Sequence, residues 1–406
     1  MNILKPPAPL NPGDKSILAL VGIAILIGQY DFSILTLALP DVQRSFDVSE
    51  ETVGSIIGIA RLGAIPAVAL ALLSDRIGRR QLLLWTLLGF SLFTFATGFA
   101  PRVEYFVAFQ FLARVFTSAE EALAVVFILE TARDENRGWS VGFLAAMGAL
   151  GAGFASLAYG FVEYLPGGWR GLYVAGSVPV LYVAWLRRRL PETKMFEEVL
   201  DSSHFSELWK PVHEILKHHK MQVFILALAT ALFWFQMSPA FNFMSKYLQD
   251  SHGYGPGAVA TLFIVAGGFA LVGNLLAGSL SDHIGRRFTI IIAIAINASA
   301  LLWFYNTSGH WLPVAWILAL IGFFAVDVVL KAVSAEVFPT HCRSTASTGL
   351  TIFSVIAVAA GFVAEGHLYS LMGSHSKAIS LMIPISVLVI PLVWLGVRET
   401  ARQKLE

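Results

Sequence analysis

The chain has 406 residues, of which 56% are hydrophobic and 14% charged, with a formal net charge of +1 and a mean hydropathy of +0.69. Soluble domains carry roughly 25% charged residues, so a water-soluble globule is excluded: its polar surface could not cover this much apolar material. The one cysteine, Cys342, excludes an internal disulfide and a cysteine metal cluster.

Residues 1–16 contain Pro6, Pro7, Pro9 and Pro12, lack a signal-peptide layout, and read as a disordered tail before a retained first helix. Apolar runs follow. A spanning helix needs about 20 mainly apolar residues, each rising about 1.5 Å across roughly 30 Å of hydrocarbon. Runs of this kind cover 17–40, 51–73, 81–99, 103–130, 138–162 and 171–185, then 221–247, 257–279, 288–305, 312–335, 344–367 and 378–395. They are too long and too continuously apolar for barrel strands. Helices also satisfy their own backbone polar groups in lipid. The expected fold is therefore an all-α polytopic membrane protein of twelve transmembrane helices in two pseudo-symmetric six-helix bundles. The bundles are 17–186 and 221–396, joined by a linker at 187–220 and followed by a tail at 397–406. The linker stretch 206–219 has Leu208, Val212, Ile215 and Leu216 at helical spacing, suited to a short amphipathic helix at the membrane surface. His213, His218 and His219 there read as solvated juxtamembrane charge, with no metal site expected.

With the amino terminus placed in the cytoplasm, 20 Lys and Arg fall on the cytoplasmic side and 5 on the other. That bias predicts two cytoplasmic termini, because basic residues of short loops stay untranslocated. Two loops repeat. Ser74-Asp75-Arg76-Ile77-Gly78-Arg79-Arg80 follows helix 2, and Ser281-Asp282-His283-Ile284-Gly285-Arg286-Arg287 follows helix 8, 207 residues later. Repeated halves with a site near the midplane suit a rocking motion that exposes the site to each side in turn. In each loop the Asp can accept hydrogen bonds from a helix end while pairing with an Arg, and Gly78 and Gly285 permit a tight turn. Gly278 is expected to let a neighbouring helix approach closely.

At these motifs the chain resembles the major facilitator superfamily over essentially its whole length, and more particularly its sugar porters and metabolite:proton symporters. Gly28-Gln29-Tyr30-Asp31 is similar to an element whose acid belongs to proton coupling. Arg114, followed by Glu130 and then Arg137-Gly138, is similar to a pattern that supports the inner gate. Leu190-Pro191-Glu192-Thr193 and the stretch from Glu336 through Phe338-Pro339-Thr340 to Arg343 resemble further family elements. The resemblance implies a conformational gate built from Asp75, Arg76, Gly78, Arg79, Glu130, Arg137, Asp282, Gly285, Arg286, Glu336 and Arg343. Helix 7 departs from the sugar-porter pattern: Gln236 and Asn242 are kept, but Met237 replaces a second Gln. Helix 5 lacks the Gly-Pro element of many drug:proton antiporters.

Ionisable groups at membrane depth are costly and default to functional roles. Counted from outer ends at Pro40, Glu51 and Val103, Asp31, Arg61 and Arg114 lie about 14, 15 and 16 Å deep, at roughly 1.5 Å per residue. One acid with two bases leaves +1. Asp31 is expected to carry the proton with Arg114 as its partner, leaving Arg61 for an anionic solute; the alternative is a static network. Glu121 would relay a proton or close the inner gate by pairing, while Glu120 points aside. Asp327 and Lys331, at i,i+4, either neutralise each other or admit Asp327 to a proton route. Trp234 and its aromatic neighbours, with Gln236 and Asn242, suit a ring-containing solute, and Pro239 can free a carbonyl for ligand or water.

The expectation is thus alternating-access transport of a small-molecule solute, with proton-coupled symport of a small organic anion as the leading form. Proton-coupled or facilitative transport of a neutral sugar or polyol, and efflux by proton antiport, are the alternatives. No cofactor beyond a transported proton and no nucleic-acid partner are expected. The protein is expected to act as a monomer among lipids in a plasma membrane, a bacterial inner membrane in particular. No Ser/His or Cys/His arrangement emerges and His367 and His375 lie near the outer surface, so an enzyme is not expected.

Overall fold

The computed structural model describes residues 6–73, 77–188, 210–339, 342–397 and 399; the side chains of residues 134, 210–212, 216, 335, 343 and 344 are also outside the description. Asp75 and Arg76 of the first loop, Leu190-Pro191-Glu192-Thr193, Leu208 and the side chains of Val212, Leu216 and Arg343 thus lie outside the described residues. Among the described residues every regular element is helical.

The chain opens with α1 (Pro12–Leu37), α2 (Leu39–Phe46), α3 (Glu50–Leu62), α4 (Ala64–Leu72), α5 (Arg79–Gly98), α6 (Val103–Thr131), α7 (Arg137–Tyr159) and α8 (Trp169–Arg187). Beyond the linker follow α9 (Lys210–His218), α10 (Lys220–Asn242), α11 (Pro256–Ile284), α12 (Arg286–Asn306), α13 (Trp311–Val337), α14 (Arg343–Met372), α15 (His375–Met382) and α16 (Val389–Gly396). Among the described residues, ten helical segments are apolar and long enough to cross a membrane, α3 with α4 and α15 through α16 each counting as one. The 29-residue α6 and 19-residue α8 complete the twelve spans. Helix α6 carries Arg114, Glu120 and Glu121 within its length.

Two compact units emerge. Unit 1 comprises Met1–Phe46 and Ile59–Ser203, and unit 2 comprises Asp47–Gly58 and His204–Glu406. Helix α3 thus gives its first turns to unit 2 and its last residues to unit 1. In unit 1, α1 packs on α7, α5 on α6 and α8, and α4 on α6. Val21, Leu83, Phe127 and Ile128 form one core, and Ala24, Leu87, Phe90 and Val180 another. In unit 2, α12 and α11 pack on α13, and α10 on α14. Large side chains such as Leu92, Leu275 and Leu395 remain exposed, as helices facing hydrocarbon require.

Several boundaries differ from expectation. Helix α1 begins inside the expected tail because Asn11 and Asp14 form a cap, the Asn11 amide donating to Asp14 Oδ2 at 3.1 Å, and Pro12 suits the first helical position. The second span breaks at Gly63, one residue past α3. Pro239 does not interrupt α10, which continues to Asn242, and the Phe235 carbonyl lies against Gly361 of α14 instead of standing open to a ligand. A Cβ added at Gly278 would meet nothing within 4 Å, so no close helix approach depends on it.

Candidate functional site

Helices α1, α3 and α6 bring the three midplane charges to one cavity. It is lined by Gly28, Asp31, Phe32, Leu35, Ala60, Arg61, Gln110, Arg114 and Thr117, all within unit 1. The helical rise from separate loops placed the charges at one depth, and packing of α1 and α4 against α6 turns them inward.

The pairing differs from expectation. Asp31, 7% exposed, accepts a hydrogen bond from Thr94 Oγ1 at 3.2 Å, and both arginines act on it electrostatically from further away. Arg114 forms its ion pair with Glu121, at 3.9 Å, and not with Asp31. The Arg61 guanidinium lies 3.4 Å from the centroid of the Phe32 ring, with Nη2 3.5 Å from the Phe32 carbonyl. Arg114 sits 5.0 Å from the same centroid. Both guanidinium groups thus lie within cation–π range of the Phe32 ring. Arg114 Nε and Nη1 are buried without a hydrogen-bond partner among the described residues, so its fork is a donor set that faces the cavity. Glu121 also accepts from Gln29 Nε2 at 2.9 Å.

In unit 2, the amide of Gln236 is fully buried and neither Nε2 nor Oε1 has a partner among the described residues. Asn242 turns its Nδ2 back to the Ser238 carbonyl at 2.9 Å. Trp234 stands edge-on to Phe323, centroids 5.5 Å apart. Lys331 Nζ bonds Asp327 Oδ2 at 2.7 Å, so this pair is joined along its own helix.

The repeated loops form paired clusters. Gly78 and Gly285 adopt φ of 102° and 99°, which only glycine takes without strain. Arg79 pairs with Glu130, and Arg137 Nε donates to the Leu129 carbonyl at 2.8 Å. Arg286 bridges Asp282 at 2.5 Å and Glu336 at 2.8 Å. The backbone amides of Arg286 and Arg287 donate to the Glu399 carboxylate.

Two charge clusters escaped the sequence reading. Arg187, assigned to the linker, is the last residue of α8, 0% exposed, and pairs with Glu120, which does not point aside but also accepts from Thr86 Oγ1 at 2.6 Å. In unit 2, Glu365 and His375 meet Glu50 and Lys246. An acid at 365 inside an apolar run was the available signal.

Residues 21–273 and 226–406 match the Major Facilitator Superfamily. The chain is 26% identical to the probable 4-methylmuconolactone transporter of Cupriavidus pinatubonensis over 79% of its own length and 75% of that protein. It is also 26% identical to the cis,cis-muconate transport protein of Acinetobacter baylyi, over 85% and 86% of the two chains. In fold it superposes on a crystallised D-xylose-proton symporter with a TM-score of 0.80 at 19% identity, covering 96% of this chain and 99% of that one. The chain belongs to the Major Facilitator Superfamily and is a multi-pass membrane transporter, not an enzyme.

Proposed function

We propose that the protein is a proton-coupled symporter of a small organic anion, an aromatic or sugar acid, working by alternating access. The observation that carries this reading is the cavity charge: two guanidinium groups facing one carboxylate, with Arg114 Nε and Nη1 lacking hydrogen-bond partners. A carboxylate matches the planar fork of Arg114, and Arg61, sandwiched on Phe32, adds field from the side. This assigns the solute chiefly to Arg114, with Asp31 as the proton carrier.

Charge balance supplies the coupling. With Glu121, the ion-pair partner of Arg114, counted beside Asp31, Arg61 and Arg114, the empty site is neutral. A bound monoanion leaves −1, and a proton on Asp31 restores neutrality. The loaded site therefore repeats the charge of the empty one, and solute and proton reinforce each other's binding reciprocally. Glu121, held by Gln29, stands next to Arg114 as the group that competes with solute for the guanidinium. The Arg79–Glu130 and Arg286–Asp282–Glu336 clusters serve as conformational locks that form in one state and break in the other. The two relatives named for muconolactone and muconate transport support a carboxylate-bearing or carboxylate-derived solute. A bacterial inner membrane, a monomer and cytoplasmic termini complete the reading, the last supported by the 20 to 5 bias in Lys and Arg.

A second reading, a neutral sugar or polyol, is favoured by the unpartnered amide of Gln236. Thermal shift separates the two. Purified protein is screened against small carboxylates, sugars and amines, then again as Arg114→Gln. At a ligand concentration 100 times Kd, stabilisation is about 2.7 kcal/mol. Carboxylates should stabilise the parent and lose that effect in Arg114→Gln. Stabilisation by sugars alone, unchanged in the variant, would establish the second reading instead.

A further inference from the structure

Near the start of α3, unit 2 holds a second ionisable cluster. His375, the first residue of α15, faces a carboxylate from each ring nitrogen. Nδ1 lies 2.5 Å from Glu365 Oε1 of α14, and Nε2 lies 2.8 Å from Glu50 Oε2 of α3. Phe243 and Tyr369 stack on the imidazole, with centroids 4.5 and 4.2 Å away. Lys246 Nζ reaches the other Glu50 oxygen at 3.1 Å and Asp250 at 2.6 Å. Glu365 is 0% exposed and its second oxygen, Oε2, is buried without a partner.

Hydrogen-bond bookkeeping decides the protonation of this arrangement. A neutral imidazole has one donor nitrogen and one acceptor nitrogen. With two ionised carboxylates, its acceptor nitrogen would face an oxygen lone pair at 2.8 Å or less, a repulsive contact. The geometry closes only with one additional proton, on the imidazole or on one of the two carboxyls, and that proton belongs to the cluster as a whole. We propose that Glu50, Glu365 and His375 form a proton-binding site whose occupancy ties the first turns of α3 to α14 and α15. The inference stands apart from the solute assignment.

Proton uptake and attachment are linked. The closed cluster holds one proton more than the opened one, so acid favours closure and alkali favours release. The charged and titratable groups facing His375 are Glu365 and Tyr369 from α14 and Glu50 from α3. Lys246 and Asp250, from the segment after α10, face Glu50, and Glu51 lies beside Tyr369. The proton shared by Glu50, Glu365 and His375 is what differs between the closed and the opened arrangement. The first turns of α3 already group with unit 2 while Ile59 onward groups with unit 1. Opening the cluster therefore loosens a segment that is covalently continuous with unit 1.

The test uses labelling of a buried cysteine in the full-length protein in nanodiscs. Cys342→Ser removes the native thiol, and Val53→Cys, at a position fully buried in α3, reports release. Thr52→Cys, at an exposed neighbour, corrects for the intrinsic pH dependence of maleimide chemistry. Between pH 5.5 and pH 8.5 the labelling rate of Val53→Cys relative to Thr52→Cys should rise at least tenfold. Adding His375→Gln should flatten that ratio, and so should Glu50→Gln, which leaves the histidine in place and serves if the first variant fails to fold. A ratio independent of pH in the parent, or a pH dependence that survives either substitution in folded protein, overturns the proposal.

Discussion

The Glu120 and Arg187 pair offers a stringent energetic test, because neither partner has water to fall back on. Arg187 is 0% exposed and the Glu120 side chain 3% exposed. At an effective dielectric of about 20, opposite charges about 4 Å apart attract by about 4 kcal/mol. Removing one partner of a buried pair costs about 3–5 kcal/mol, because the remaining charge is stranded. In Glu120→Met, Arg187 keeps only the Leu20 carbonyl, 3.2 Å from Nη2. In Arg187→Met, Glu120 keeps only the Thr86 hydroxyl. The double variant strands nothing: the Leu82 and Leu83 carbonyls lie 3.0 and 3.2 Å from Thr86 Oγ1, so its one proton turns to them once Glu120 is gone. Each single substitution should cost about 3–5 kcal/mol, whereas the double should cost about 1 kcal/mol or less. Equilibrium unfolding in mixed micelles, followed by far-ultraviolet circular dichroism, gives all three values. Singles that cost under about 1 kcal/mol, or a double equal to their sum, would refute the stranded-charge argument.

Other substitutions probe the loops and the pairs. Gly285→Ala should destabilise by about 1–3 kcal/mol, since φ is 99° and its Cβ would press on the Glu399 carboxylate that holds two backbone amides. Gly278→Ala, with nothing near its Cβ, should unfold at or slightly above the parent temperature in the same assay. Lys331→Gln should change stability by less than about 1 kcal/mol and leave uptake rates unaltered, because the Lys331 side chain is 74% exposed.

The spans were legible because roughly 20 apolar residues have one outcome in lipid, and the cavity charges because helical rise converts loop distance into depth. Partner choice was not legible. Depth along a helix fixes height but not rotation, so Arg114 was matched to Asp31 when its ion pair is with Glu121. Arg187 was hidden by the rule that served orientation well, since a basic residue at a span end resembles its exposed neighbours in the linker. Asn11 and Asp14 carried a readable cap that the surrounding prolines obscured. Glu50 and His375 stand 325 residues apart, and no local pattern announces such a meeting. The positive φ at Gly78 and Gly285, by contrast, followed directly from the repeated motif.

The central claim is that Asp31 and Arg114 move a proton and an organic anion together. Its most direct measurement is uptake of small dicarboxylates and aromatic carboxylates into proteoliposomes under an imposed inward proton gradient. The account predicts accumulation that collapses with a protonophore and is lost in Arg114→Gln. In Asp31→Asn, gradient-driven accumulation should disappear while solute exchange at equal concentrations persists. Accumulation indifferent to the proton gradient, or full accumulation by Asp31→Asn, would contradict it.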